Sequence, residues 1–122
     1  LAKQKKVGII CSKIFAQGFL AKNKFSFPKY DVRSTYNKFE LQILNQKRQK
    51  MLEKFSEDEL IKMAIPYVLS KNYVSSCLVG ISKIDQLIQN LDYQKHSLNQ
   101  NEMRNIKYIQ NYFPIIEKNS SI

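Results

Sequence analysis

The sequence predicts an α/β protein built on a parallel sheet, and two observations carry that prediction. Residues 6–11 (KVGIIC) and 74–79 (VSSCLV) are short runs rich in small and β-branched side chains without strict alternation, as in strands covered on both faces. The stretches between and after them repeat apolar residues at helical spacing. Two such strands do not make a stable sheet, because both would be edges and neither carries the charges or prolines that protect an edge. The chain therefore reads as a piece of a larger α/β domain, incomplete as a chain, and the absence of an initiator Met at Leu1 agrees with that expectation.

In chain order, the first strand is expected to open almost at residue 1. Residues 12–34 follow as a long irregular loop, with Gly18, Pro28 and mixed polar and aromatic residues in no regular period. Its aromatics Phe15, Phe19, Phe25, Phe27 and Tyr30 need a surface to cover, which argues against full disorder. Asp31 and Arg33 read as residues that order this loop. Residues 36–55 place Leu41, Leu44, Met51, Leu52 and Phe55 on one stripe of a surface helix, with NQKRQK between them as its wet face. Ser56 and Glu59 form a capping box opening a helix whose apolar face is Leu60, Met63, Ala64, Tyr67 and Val68, and Pro66 should kink it or weaken its last turn.

The second strand runs into Gly80, where the backbone can turn tightly into a short helix. Ser82 is expected to cap that helix, with Asp85 as the acidic half of a capping box. Ile84, Leu87, Ile88 and Leu91 fall at i, i+3, i+4 and i+7, so one face should pack back on the sheet. The unpaired N–H groups at the helix start then face outward, where a phosphate can sit; a βα unit with no ligand has the same pattern. A last helix spans residues 100–113, capped by Asn99 with Glu102, its buried side Met103, Ile106, Ile109 and Phe113, and Pro114 just past its end. Residues 117–122 should form a frayed tail.

Composition narrows the function classes. A length of 122 residues, 43% hydrophobic content and a mean hydropathy of −0.40 fit one soluble domain. No apolar run approaches the roughly 18 residues of a membrane span, and no signal peptide is read, so no membrane partner is expected. The net charge of +10 invites a nucleic-acid partner. The cations are scattered, however, and only Lys47, Arg48 and Lys50 crowd together, on a face that reads as solvated, so no specific nucleic-acid binding is expected. Cys11 and Cys77 lie within the predicted strands as small buried residues, and their spacing suits neither a disulfide scaffold nor a zinc site. His96 has no neighbouring ligand cluster, so no metal is expected. A reducing cytoplasm fits best. Tyr67 and Tyr73 read as core or rim residues of their elements.

Three stretches share an order and spacing with a known family. VGIICSKIFAQGFL (7–20), FPKYDVRS (27–34) and IPYVLSKNYVSSCLVGISKIDQLIQNL (65–91) resemble segments of the aldo/keto reductases. The matching segments are the seventh barrel strand with its loop, a loop of one branch of the family, and the stretch from the helix before strand eight to the adenosine-phosphate helix. The resemblance implies the C-terminal part of a (β/α)8 TIM barrel, with strands seven and eight and the closing helices. It also implies cofactor contacts. Lys13, Ile14, Phe15 and Gln17 would lie near the nicotinamide and its phosphate, the first three standing where many members have Ser-Pro-Leu. Gly80, Ile81, Ser82 and Lys83 would form the phosphate turn, with Leu78, Val79 and Gly80 where members often have Ile-Pro-Gly. Gln86, Gln89 and Asn90 would face the adenosine portion, and an ammonium at Lys83 would favour NADPH over NADH.

The family's catalytic Asp, Tyr, Lys and His belong to the first half of the barrel, and nothing in this sequence aligns with them. The resemblance therefore implies a cofactor-binding segment of an NAD(P)H-dependent oxidoreductase that reduces a small aldehyde or ketone, without catalytic residues of its own. The alternative is a non-catalytic half-barrel that uses its exposed sheet edge to pair with a partner or with itself, or a relic without activity.

Overall fold

The computed structural model describes residues 1–21 and 27–119. The two apolar runs meet as neighbours in a parallel sheet, β1 (Ile10–Cys11) beside β2 (Ser76–Cys77), with Ile10 opposite Ser76 and Cys11 opposite Cys77. Backbone bonds extend the pairing slightly at both ends. The Ile9 carbonyl accepts from Ser75 N–H at 2.8 Å and the Cys11 carbonyl from Leu78 N–H at 2.8 Å.

Both strands are shorter than expected, for a local reason. The N–H of Ile9 donates to the Ser75 hydroxyl at 3.2 Å, so a side chain takes the place of a backbone acceptor and the ladder stops. Upstream the chain coils instead of extending: Lys5 N–H donates to the Leu1 carbonyl at 2.9 Å and Lys6 has φ +55°. The expectation of covered strands is also corrected, since Val7, Ile10 and Leu78 are exposed and Cys11 and Cys77 are half-buried. Among the described residues, two strands leave each other's far edge bare.

Within the expected irregular loop, two 3-10 turns form, at Ala16–Gly18 and Val32–Thr35. Phe25 lies outside the described residues, as do residues 120–122. Helix α1 (Lys38–Leu52) begins where Asn37 accepts from Glu40 N–H at 2.8 Å and Glu40 accepts from Asn37 N–H at 2.8 Å, a capping box that starts the helix two residues after the expected Tyr36. Helix α2 (Glu57–Leu69) opens on the expected Ser56–Glu59 box, whose hydrogen bonds hold the Glu59 carboxyl below the usual carboxylate range. It runs through Pro66 to Leu69.

Helix α3 (Ile84–Tyr93) starts one residue later than its expected cap allows. Lys83 is the N-cap and gives no side-chain bond, while Gln86 reaches back to accept from Ser82 N–H at 2.9 Å and its hydroxyl at 3.2 Å. The longer Gln86 side chain supplies the acceptor that Ser82 and Asp85 were expected to provide between them. The apolar stripe of α3 does not pack on the sheet: Ile84 is 76% and Ile88 61% exposed, and Leu87 and Leu91 are exposed as well. Helix α4 (Gln100–Asn119) has the expected Asn99–Glu102 box, at 2.7 and 2.9 Å. It continues past Pro114, which lies on the exposed side, so the lost donor ends nothing and the helix takes in residues expected to fray.

The core sits among the helices. Phe55, Leu60, Met63 and Ile109 are buried together, with Met51, Leu52, Leu98, Ile106 and Phe113 packed around them. The expected wet face of α1 is only partly wet: Asn45, Gln46 and Gln49 are exposed, while Lys47, Arg48 and Lys50 turn toward neighbouring helices. Arg48 is 2% exposed and its Nη2 donates to Glu57 Oε1 at 2.7 Å, while its Nε has no partner. Lys47 lies over the Phe113 ring at 5.4 Å and Lys50 over Tyr112 at 4.0 Å, so the two lysines of the crowded trio are directed at α4. Tyr67 is half-buried and its hydroxyl accepts from Gln110, whereas Tyr73 is exposed.

Two measurements follow from these contacts. Glu57→Gln leaves a buried guanidinium without its counter-charge and should lower stability by about 1–3 kcal/mol. Asp58→Asn, in the same first turn, removes only a charge–helix interaction of about 0.3–1 kcal/mol. Arg48→Met deletes the charge and its orphan nitrogen together, and should cost less than Glu57→Gln. Urea midpoints rank the three; equal losses for Glu57→Gln and Asp58→Asn would show that the pair contributes nothing. The second concerns Cys77, whose thiol is pushed above its ordinary range by burial and then by neighbouring Cys11. Its alkylation by iodoacetamide should rise with pH along a curve whose midpoint lies above the roughly 8.5 of a free thiol, since less thiolate is present at any lower pH. A midpoint at the free-thiol value would contradict the shielding.

Candidate functional site

Parallel strands send their following loops out at the same edge of the sheet, and the Cys11–Cys77 register starts both loops side by side. A cleft of about 520 Å³ opens between them. One bank is the loop after β1, with Lys13, Ile14, Phe15, Gln17 and Gly18; the other is the turn after β2 and the start of α3, with Leu78, Val79, Gly80, Ile81, Ser82, Gln86, Gln89 and Asn90. Ala21, Arg33 and Ile61 complete the lining.

The first bank is a series of tight turns. Ala16 N–H donates to the Lys13 carbonyl at 2.7 Å, Gly18 N–H to Phe15 at 2.9 Å and Phe19 N–H to Ala16 at 3.1 Å. Lys13, Ala16 and Gln17 all take positive φ, at 58°, 48° and 56°, and Gly18 follows at 91°. Each of the three non-glycine residues costs about 1–2 kcal/mol against right-handed backbone, so the surrounding contacts have to hold them. Phe19 is buried and anchors the bank, packed edge-on against Phe27 at 5.9 Å and tilted against Tyr36 at 5.8 Å.

The second bank is open and uncapped. Gly80 does not use a left-handed conformation; what its hydrogen side chain provides is room, because an added Cβ would meet nothing within 4 Å. That replaces the tight turn expected of it. The first turn of α3 has no side-chain cap, so its N–H groups lack a side-chain partner, and the turn lies between the lining residues Ser82 and Gln86. Asp85 in that turn offsets part of the helix dipole's field, which leaves Lys83 as the local cation. Lys83 stands at the N-cap and is exposed, outside the lining itself.

Every residue expected to contact a dinucleotide except Lys83 thus lines one cleft. Gly18, Ala21, Arg33, Ile61, Leu78 and Val79 also line it and were not among them. A positive φ marks Gly18 only once the backbone is known, and Ile61 belongs to a helix whose apolar face the sequence assigns to the core. Chemically, the described lining offers flat apolar surface from Ile14, Phe15, Val79 and Ile81, amide edges from Gln86, Gln89 and Asn90, and two cations, Lys13 and Arg33. It contains no carboxylate, thiol or imidazole among the described residues, and its amide and apolar groups are suited to binding a ligand. No group of His, Cys, Asp and Glu among the described residues could hold a metal, and no described helix is long and apolar enough to cross a membrane.

The chain can now be set beside known proteins. No curated protein and no solved structure matches it. A model of the aldo/keto reductase family matches residues 1–111. Members of that family carry a TIM barrel and reduce carbonyl compounds with NAD(P)H. With the match extending over most of its 122 residues, this chain belongs to the aldo/keto reductase family.

Proposed function

We propose that the chain is the C-terminal, cofactor-binding part of an NADPH-dependent reductase of small aldehydes or ketones. In this reading β1 and β2 are barrel strands seven and eight. The observation that supports it is the convergence on one cleft of two loops separated in sequence by α1 and α2. Ligands of α/β barrels sit at this end, beyond the C-termini of the strands.

The residues fit a dinucleotide. The open space at Gly80 lets a phosphate approach backbone N–H groups, the uncapped start of α3 favours an anion, and Lys83 adds charge beside it. Gln86, Gln89 and Asn90 offer donors and acceptors to an adenosine, and Ile14 and Phe15 offer apolar surface to a nicotinamide. The bound cofactor supplies a hydride to the carbonyl carbon of the substrate. This segment holds and orients it and excludes water along the apolar bank; proton donation falls to residues outside the chain described. The free thiols suit a reducing cytoplasm.

Titration of the intact protein with NADPH tests the proposal, and absence of saturable binding would end it. Two variants locate the site. Gly80→Ala has space for its methyl group and a φ open to any residue, so the melting temperature should hold while NADPH affinity falls about tenfold through the lost close approach. Lys83→Ala should weaken NADPH about threefold more than NADH, the size of an exposed ion pair, and added salt should erase the difference. An unchanged NADPH to NADH ratio would remove Lys83 from cofactor selection.

A further inference from the structure

Beside the Phe19 anchor, one side chain of the lining braces the left-handed bank of the cleft. Arg33 clasps Asp31 in a fork, Nε to Oδ1 at 2.9 Å and Nη2 to Oδ2 at 2.6 Å, and its backbone N–H also donates to Oδ1 at 2.9 Å. Its remaining arm reaches across the loop, Nη1 donating to the Gln17 carbonyl at 2.7 Å. The guanidinium lies over the Phe27 ring, 4.5 Å from its centroid, and the Tyr36 hydroxyl donates to the side-chain oxygen of the same Gln17. A Cβ at Gly18 would come within 3.0 Å of Nη1, so the next residue is a glycine for contact as well as for its φ.

We infer that Arg33, fixed by Asp31, is a positioning residue that latches Gln17 and so sets the shape of the bank facing the nicotinamide half of the cofactor. Asp31 neutralises the guanidinium and points its free arm; the ammonium of a lysine could serve Asp31 or Gln17, not both in this plane. The latch acts on one bank only. Gly80 and α3, which face the adenosine half, receive none of the guanidinium's hydrogen bonds among the described residues. The inference rests on the dinucleotide reading of the cleft and adds the division of labour between its banks.

Asp31→Asn separates a latch from a direct phosphate ligand by the sign of its effect. Asparagine keeps the cap on the 3-10 turn but not the charged fork. A latch predicts that NADPH binds about tenfold more weakly, whereas a guanidinium that grips phosphate directly would be freed and bind it more tightly. Arg33→Lys should match Asp31→Asn. Both variants should leave 2′,5′-ADP, which lacks the nicotinamide half, within about twofold of the parent affinity. Hydrogen exchange without ligand gives the second readout: the Gly18 and Phe19 amides should exchange faster in both variants while the core of α2 is unchanged. Tighter NADPH binding in Asp31→Asn, equal losses for both ligands, or unaltered exchange at Gly18 would each overturn the latch. A parent protein that binds neither ligand would overturn the dinucleotide reading instead, and the exchange result would then stand or fall separately.

Discussion

The pairing of β1 with β2 is the constraint on which the cleft depends. Its bonds, from Ser75 and Leu78 to the carbonyls of Ile9 and Cys11, join segments that lie on opposite sides of two helices in the sequence. Because the pairing is parallel, both loops leave at the same edge; an antiparallel pair would have sent them to opposite ends. The register matters equally, since a slip by one residue would turn each side chain to the other face and shift one bank against the other. The Ser75 hydroxyl helps fix that register by taking the Ile9 N–H, and Gly8 leaves it the space, its missing Cβ being 3.3 Å from that oxygen.

The two banks then solve opposite problems. The first must keep a backbone that L-residues avoid, at Lys13, Ala16 and Gln17, and does so with an aromatic anchor at Phe19 and charged hydrogen bonds from Arg33. The second must leave backbone groups without partners from the protein, so it has a glycine with nothing beside it and a helix start with no side-chain cap. Strain on one side and open polarity on the other are both unfavourable to folding, and both occur at the cleft, as expected of a site shaped for a ligand.

Much of this arrangement could be read from local chemistry. The boxes at Ser56 and Asn99 and much of the apolar faces of α2 and α4 follow from spacing, because each is decided within one helix; Met103, expected on the buried side of α4, is exposed, and Ile65 and Pro66 of α2 are buried off the expected stripe. The failures have a common cause. Arg48 lies in a polar run, yet Glu57 and the packing of α4 against α1 draw it inward, a decision made between helices. Ser82 had the right chemistry for a cap and lost it to Gln86, whose reach depends on where the turn places the helix. Strand ends were misjudged because Ser75 competes for the ladder through its side chain. The loop contacts of the site came from resemblance; that Asp31 and Arg33 order the loop was legible in DVRS, but nothing there says which carbonyl the guanidinium will find.

The apolar stripe of α3 bears on what surrounds this chain. Ile84, Leu87, Ile88 and Leu91 repeat at the interval of a buried face and are left exposed, as are Ile10 and Leu78 on the sheet. Burying one such side chain contributes about 1.5–3 kcal/mol, so the stripe on α3 withholds several kcal/mol that a folded neighbour would recover. A wet helix face gains nothing from that periodicity, and scattered exposed leucines would not keep it. Sheet edges without charge or proline present the same problem in hydrogen bonds. In the proposed barrel one set of neighbours answers both, the remaining strands closing the edges of β1 and β2 and the adjoining helix covering α3. In that proposed setting the cleft between the two banks would gain its outer wall from the same elements, so the exposed apolar stripe and the open cleft would have one cause.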